Sequence, residues 1–251
     1  MTDRVLALDG VWKGFSRGGD WLHVLQGVSL SVGAGELAAV VGTRDQGKTT
    51  LLRVAAGMLP PEKGTVRLGK LELAALRERE LSRVLRSEIG LAARKGPAVR
   101  VRVRDYVGLP LATGLRLRWQ ERGRRATEAL RMLGVADCAD MRWRELSNWQ
   151  RVRVELAQAL VGKPLLLLID DVLDGFGLGK KQEAMEILRT VIDELGCGVL
   201  MAASDHTSVL PSDRVWQLDE GKLKLMADLT DGDLIPLHKS GEGSRVWYAE
   251  S

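Results

Sequence analysis

The chain has 251 residues, 45% of them hydrophobic and 28% charged, and its 37 basic side chains against 33 acidic ones leave a net charge of +4. That apolar content excludes intrinsic disorder, and the length suits one large domain, or a core with a smaller lobe, rather than two full domains. So small a basic excess gives no argument for nucleic acid or an anionic membrane as a direct partner. The start, Met1-Thr2-Asp3-Arg4-Val5-Leu6, has no basic stretch followed by an apolar one, so no secretory leader is expected. Cys138 and Cys197 then read as reduced, buried small hydrophobes. With only His23, His206 and His238 beside them, a structural zinc cluster is not expected. Apolar runs such as Leu165–Ile169 fall far short of the ~20 residues that cross a bilayer. A cytosolic, soluble chain is expected, anchored at a membrane only through other subunits.

In chain order, Arg4–Leu8, Gly27–Val32 and Leu37–Val41 read as strands, with a turn at Gly33–Gly35. A helix is predicted over Lys48–Met58, stopped by Leu59-Pro60-Pro61, and another strand over Thr65–Leu68. The stretch from Glu72 to Gly134 is arginine-rich and mainly helical, most clearly over Gln120–Leu133. Within it Val99, Val101 and Val103 alternate with Arg100, Arg102 and Arg104, which on pattern alone suggests an edge strand, although Asp105-Tyr106 also suits the opening of a helix. Beyond it, Val152, Leu156 and Leu160 share a helical face ahead of a strand at Leu165–Ile169. An amphipathic helix carrying Ala184, Ile187, Leu188, Val191, Ile192 and Leu195 leads to a strand at Val199–Ala203. Strands apolar on both faces and joined by helices indicate a parallel sheet covered on both sides, an α/β core into which the helical middle is inserted.

Gly42-Thr43-Arg44-Asp45-Gln46-Gly47-Lys48-Thr49 fits G-x-x-x-x-G-K-S/T between a predicted strand and a predicted helix. Glycines there let backbone N–H groups turn inward around phosphate oxygens, and the helix start adds partial positive charge. Lys48 is placed to reach the β- and γ-phosphates, and the Thr49 hydroxyl to reach Mg2+. Asp170, at the end of the apolar run Leu165–Ile169, supplies the carboxylate that such a metal needs; an ordinary helix-capping aspartate is the bland alternative.

With those motifs the sequence resembles the nucleotide-binding subunit of ATP-binding cassette (ABC) transporters. Leu146-Ser147-Asn148-Trp149-Gln150-Arg151 stands where that family has LSGGQ and arginine, and the likeness runs from about Leu6 to Leu223. Leu71–Ile89 and Tyr106–Leu111 are similar to the lipoprotein-release, macrolide-export and cell-division branch. The resemblance implies a P-loop NTPase (RecA-like) core with an N-terminal antiparallel β subdomain and an inserted α-helical subdomain. It implies a single ATP-binding domain over 1–225, helical over about 95–160, and a tail over 226–251. ATP and Mg2+ are the implied cofactors, with nucleotide contacts from Phe15, from Gly42 to Thr50, and from Ser147, Asn148, Trp149 and Gln150. Phe15 matches the adenine-stacking aromatic, with Trp12 or Trp21 as replacements if the loop shifts. Transmembrane permease subunits and a second nucleotide-binding subunit are the implied partners, at the cytoplasmic face of the membrane and without nucleic acid. The arginines from Arg94 to Arg125, among them Arg100, Arg102, Arg104, Arg116, Arg118, Arg122 and Arg124, either dock on the membrane subunits or form a solvated basic face.

Several positions depart from the family pattern. Arg94 replaces the glutamine that links Mg2+ to the helical lobe, Asp171 the catalytic glutamate, Ser204 the switch histidine, and Gly177 the aspartate closing the loop after the metal-side strand. Asp171 is one methylene short for a base that must come within about 3 Å of its water, and Ser204 lacks the charge and reach of an imidazole. Trp149 is expected to hinder the partner's nucleotide, and Asp45 to repel phosphate unless turned outward or paired with Arg44. Together these changes imply an ATP-binding subunit of an ABC transporter with weak hydrolysis of its own, favoured as a heterodimer over a homodimer. A non-catalytic, ATP-gated scaffold for another ATPase is the alternative. A soluble cassette acting on ribosomes or DNA fits less well, because there is one phosphate loop and no sustained heptad pattern.

Overall fold

The computed structural model describes residues 4–94, 96–97, 101–113, 117–209 and 212–228. Two long strands, β1 (Arg4–Arg17) and β2 (Asp20–Gly33), open the chain. They join at Gly18 and Gly19, whose positive φ values suit a two-residue hairpin turn. Next come β3 (Leu37–Val41), α1 (Lys48–Ala55), β4 (Lys63–Leu68), β5 (Leu71–Glu72), α2 (Glu78–Ser87) and β6 (Ile89–Ala93). The helical middle holds α3 (Val103–Val107), α4 (Leu109–Thr113), α5 (Trp119–Met132) and α6 (Asn148–Leu160). The chain then runs through β7 (Leu166–Asp170), α7 (Leu178–Leu195), β8 (Gly198–Ala203), β9 (Arg214–Asp219) and β10 (Lys222–Asp228).

These strands make two sheets, an antiparallel one ordered β2-β1-β4-β5 and a larger one ordered β10-β9-β3-β8-β7-β6. In the larger sheet β9, β3, β8, β7 and β6 are parallel, and β10 pairs antiparallel at the edge. Alternate residues of each strand enter opposite layers. Leu167, Ile169, Val199 and Met201 pack with α5, α6 and α7, whereas Leu166, Leu168, Leu200 and Ala202 pack toward α1 and the antiparallel sheet. Burial on both faces is why these strands read as unbroken apolar runs. Each such leucine contributes roughly 1.5–3 kcal/mol. Gly196 ends α7 in the left-handed conformation and donates its N–H to Ile192 O at 2.7 Å, a helix stop that glycine makes without strain.

The edge strand suggested by the valine–arginine alternation does not form over Val103–Val107, which is helical. Val103, Tyr106 and Val107 have the i, i+3, i+4 spacing that buries one helical face, while Arg102 and Arg104 both turn to Asp140. Val99, Arg100 and Arg116 lie outside the described residues, as does the tail from 229; Met226–Asp228 belong to β10. Arg124 and Arg125 pair with Glu121 on their own helix, so part of the basic set is neutralised within the lobe. Both cysteines are free and buried, and burial pushes the Cys197 thiol up to about 11. No helix among the described residues is long and apolar enough to cross a membrane.

Candidate functional site at the carboxyl edge of the parallel sheet

Four neighbouring parallel strands end side by side, and the residue or loop after each meets at least one of the others. Residues 42–47 follow β3, Arg94 follows β6, Asp170 and Asp171 close β7, and Ser204 follows β8. Crevices at the carboxyl ends of such strands are where α/β sheets bind ligands.

The 42–47 loop is tightly constrained. A Cβ on Gly42 would sit 2.7 Å from Leu218 O, and one on Gly47 would sit 2.6 Å from Val24 Cγ1. Gly47, at φ 98, also stands as the N-cap of α1 with no side-chain cap, which leaves the helix-start amides to accept an anion. Thr49 and Thr50 follow in the first turn of that helix. Asp45 takes a left-handed φ of 65 that aspartate tolerates, and its side chain is exposed. It is turned outward as required, but Arg44 does not pair with it; Arg44 Nη2 reaches Asp174 Oδ2 at 3.2 Å. Gln46 closes the loop from the side, accepting from Thr43 N at 2.8 Å and donating to Asp219 Oδ1 at 2.6 Å.

Lys48 is buried, with 6% of its surface exposed, and its Nζ donates to Gly42 O at 2.7 Å and Thr43 O at 3.0 Å. The same ammonium lies 3.5 Å from Asp171 Oδ2. Ser204 Oγ donates to that oxygen at 2.7 Å, so the Asp171 carboxylate is engaged from two sides. Asp171 also holds a left-handed φ of 52, with its N–H bound to Ala202 O. One residue earlier, Thr49 Oγ1 is 3.0 Å from both oxygens of Asp170. Burial chiefly raises the Asp170 pKa, with the Asp171 charge adding to it and the Thr49 hydroxyl opposing. A hydroxyl and a carboxylate are the hard oxygen donors that suit Mg2+, which keeps most of its own waters. No cluster of three or more His, Cys, Asp or Glu side chains offers another metal centre among the described residues.

On the strand side, Phe15 is 39% exposed, pairs with Leu22 and has Lys13 Nζ 5.6 Å from its ring. Trp21 pairs with Ser16, on the opposite face from Phe15, and lies over Gly14. Trp12 stacks edge-on with His23 and faces Gly27. Val24 is the extra residue where the register slips between Lys13↔Leu25 and Gly14↔His23, and that bulge turns it onto Gly47. Nothing in the sequence sets this valine apart from any strand residue.

Residues 146–151, the signature segment that stands in place of LSGGQ, lead into α6, with Ser147 as its N-cap. Ser147 accepts from Gln150 N at 3.2 Å and Gln150 accepts from Ser147 N at 2.8 Å, a capping box that holds both side chains locally. Asn148 is exposed beside Arg151. The Trp149 indole packs against its own chain, edge-to-face with Phe176 at 5.4 Å. Arg94 donates through Nη1 to Asp174 O at 2.7 Å, and Gly177 caps α7 without a side-chain bond. Asp174, Phe176 and Val24 are the residues here that the motifs gave no means of finding.

A family model described as "ABC transporter" matches residues 25–174. The aliphatic sulfonates import ATP-binding protein SsuB 2 of Pseudomonas aeruginosa is 35% identical over 221 residues, covering 88% of this chain and 74% of that one. The lipoprotein-releasing system ATP-binding protein LolD of Cereibacter sphaeroides is 32% identical over 223 residues, covering 87% and 98%. Among solved structures, a dimeric ATP-binding cassette in a post-hydrolysis state with ADP and Pi superimposes with a TM-score of 0.80 at 25% identity, over 87% of this chain and 96% of that one.

Proposed function

This chain belongs to the ABC transporter family, and from that premise we propose that it is an ATP-binding subunit that drives membrane permease subunits while hydrolysing ATP slowly itself. The phosphates lie against the amides from Arg44 to Thr49 and the start of α1, with Phe15 on the adenine side. On binding them, Lys48 exchanges the carbonyls of Gly42 and Thr43 for β- and γ-phosphate oxygens. Thr49 and Asp170 hold Mg2+, which when bound neutralises phosphate charge. Asp171 is the general base for the attacking water.

The observation that carries slow hydrolysis is the engagement of that base. Its carboxylate accepts the Ser204 hydroxyl at 2.7 Å, a bond that does not depend on where Lys48 lies. A carboxylate oxygen already occupied by a neighbouring hydroxyl is not free to take up the attacking water, and aspartate is short for the task. Because the departures fall both on the phosphate-loop half and on the signature half of the chain, a heterodimer with an intact second nucleotide-binding subunit is favoured over a homodimer. In that assembly the chain is peripheral, at the cytoplasmic face of the membrane.

Steady-state ATPase of the purified chain tests this. Turnover is expected well below about 1 s⁻¹, and a faster rate refutes impaired hydrolysis. Replacing Asp171→Glu, Ser204→His and Trp149→Gly together is expected to raise turnover at least about tenfold. No gain, with MgATP still bound, favours the ATP-gated scaffold.

A further inference from the structure

Two of the positions that depart from the family motifs, Arg94 and Trp149, meet on one aromatic ring. Phe176 lies in the loop after β7; the Trp149 indole meets it edge-to-face at 5.4 Å, and the Arg94 guanidinium lies 5.5 Å from its centroid. Arg94 also holds that loop through Asp174 O at 2.7 Å, and the Asp174 carboxylate holds Arg44 of the phosphate loop at 3.2 Å. Behind the indole, Arg153 and Lys180 lie 4.9 and 5.1 Å from its ring, and both pair with Glu183. A continuous run of contacts therefore joins Arg44 to the first turn of α6, within one chain and across the seam between sheet and lobe.

We propose that Phe176 is a positioning residue which, through Trp149, couples occupancy of the phosphate loop to the signature segment of the same chain. The proposal rests on the reading of 42–49 as a triphosphate site. Arg44 is 84% exposed, so its bond to Asp174 is a solvent-screened pair of small worth. Phosphate oxygens arriving at the amides beside Arg44 compete for its guanidinium with stronger, multiply charged bonds. Once Arg44 leaves, the 174–176 loop keeps its backbone bonds to Asp171 and Leu173 but loses one of the two arginine side chains that tether it, and shifts on the other, Arg94. The Phe176 ring moves with it. Trp149, held from behind by Arg153 and Lys180, carries that shift into α6 as a unit, because aromatic and cation–π contacts favour particular ring geometries. An indole in place of glycine here is thus a built connection between two parts of the chain.

Amide hydrogen exchange on the full chain, with and without MgATP, tests the coupling. In the wild type, MgATP is expected to change exchange at residues 149–153 by about threefold to tenfold, the scale of one aromatic contact. In Phe176→Ala the nucleotide still binds and that response vanishes. Phe176→Leu, which keeps the apolar bulk, gives the same result should the alanine variant fold poorly. Trp149→Phe, which retains the ring contact, keeps the response and Trp149→Ala loses it, a split that a merely structural role for Phe176 does not explain. An undiminished MgATP response in both Phe176 variants removes the coupling alone. A wild-type chain that binds MgATP no better than Lys48→Ala removes the phosphate-site reading, and the coupling with it.

Discussion

The carboxyl edge of the parallel sheet and the helical lobe are held in shape by different means. At the edge, backbone ladders fix where β3, β6, β7 and β8 end, so Lys48, Arg94, Asp170 and Ser204 arrive together whatever their side chains are. In the lobe, position depends on a few side chains. Glu155 of α6, 4% exposed, accepts from Gly96 N at 2.7 Å and from Tyr106 OH at 3.1 Å, tying α6 to α3 and to the segment beyond Arg94. Substitution at the edge therefore alters chemistry and leaves geometry, whereas substitution in the lobe alters geometry first.

The largest effect is expected at the edge. Asp170→Ala removes the partner of Thr49 and one hard oxygen, and MgATP affinity is expected to fall about a hundredfold while the circular dichroism spectrum is unchanged. Titration with nucleotide in the presence and absence of Mg2+ measures it. A variant that binds MgATP as the wild type does would place the metal elsewhere and break the comparison.

The same difference explains what the sequence made legible. The phosphate loop, the β7 carboxylates and the parallel core could be read because spacing and apolar runs are local patterns that the backbone converts directly into position. The valine–arginine alternation before Asp105 misled because two periods fit so short a stretch, and burial of Val103, Tyr106 and Val107 decided for the helix. Trp149 was located in the chain but not in space. Its direction depends on Phe176, some 27 residues further on, and no sequence pattern links the two. Val24 is a similar case, since the bulge that turns it onto Gly47 arises from register and not from residue type.

A middle-sized effect is expected in the lobe. Glu155→Ala leaves the Gly96 N–H and the buried Tyr106 hydroxyl without their acceptor, at a cost of about 1–3 kcal/mol for such groups. Urea unfolding is expected to show that loss in the midpoint. Because Arg94 is joined to Gly96 by only one intervening residue, MgATP turnover is expected to fall as well, and unchanged turnover would show that the lobe does not depend on this knot.

The smallest effect separates the charge of Glu155 from its shape. Burial raises its pKa above the ordinary carboxylate value, more than the bonds from Gly96 and Tyr106 lower it. The folded state therefore keeps the proton at pH values where the unfolded chain, titrating near 4.3, has lost it. Stability from this group is greatest when both states are protonated. It declines as pH rises from the unfolded value to the folded one, and is flat above that, where the buried charge is carried in full. Glu155→Gln has no such dependence; its amide adds a constant offset from the altered hydrogen bonding. The stability of the glutamine variant minus that of the wild type is thus expected to grow as pH rises above the unfolded value of about 4.3 and to level off once pH has passed the raised folded value, since every other titrating group is common to both proteins. A difference that stays constant over that range would mean that the carboxyl group is solvated in the folded protein, and that the lobe is held there by shape alone.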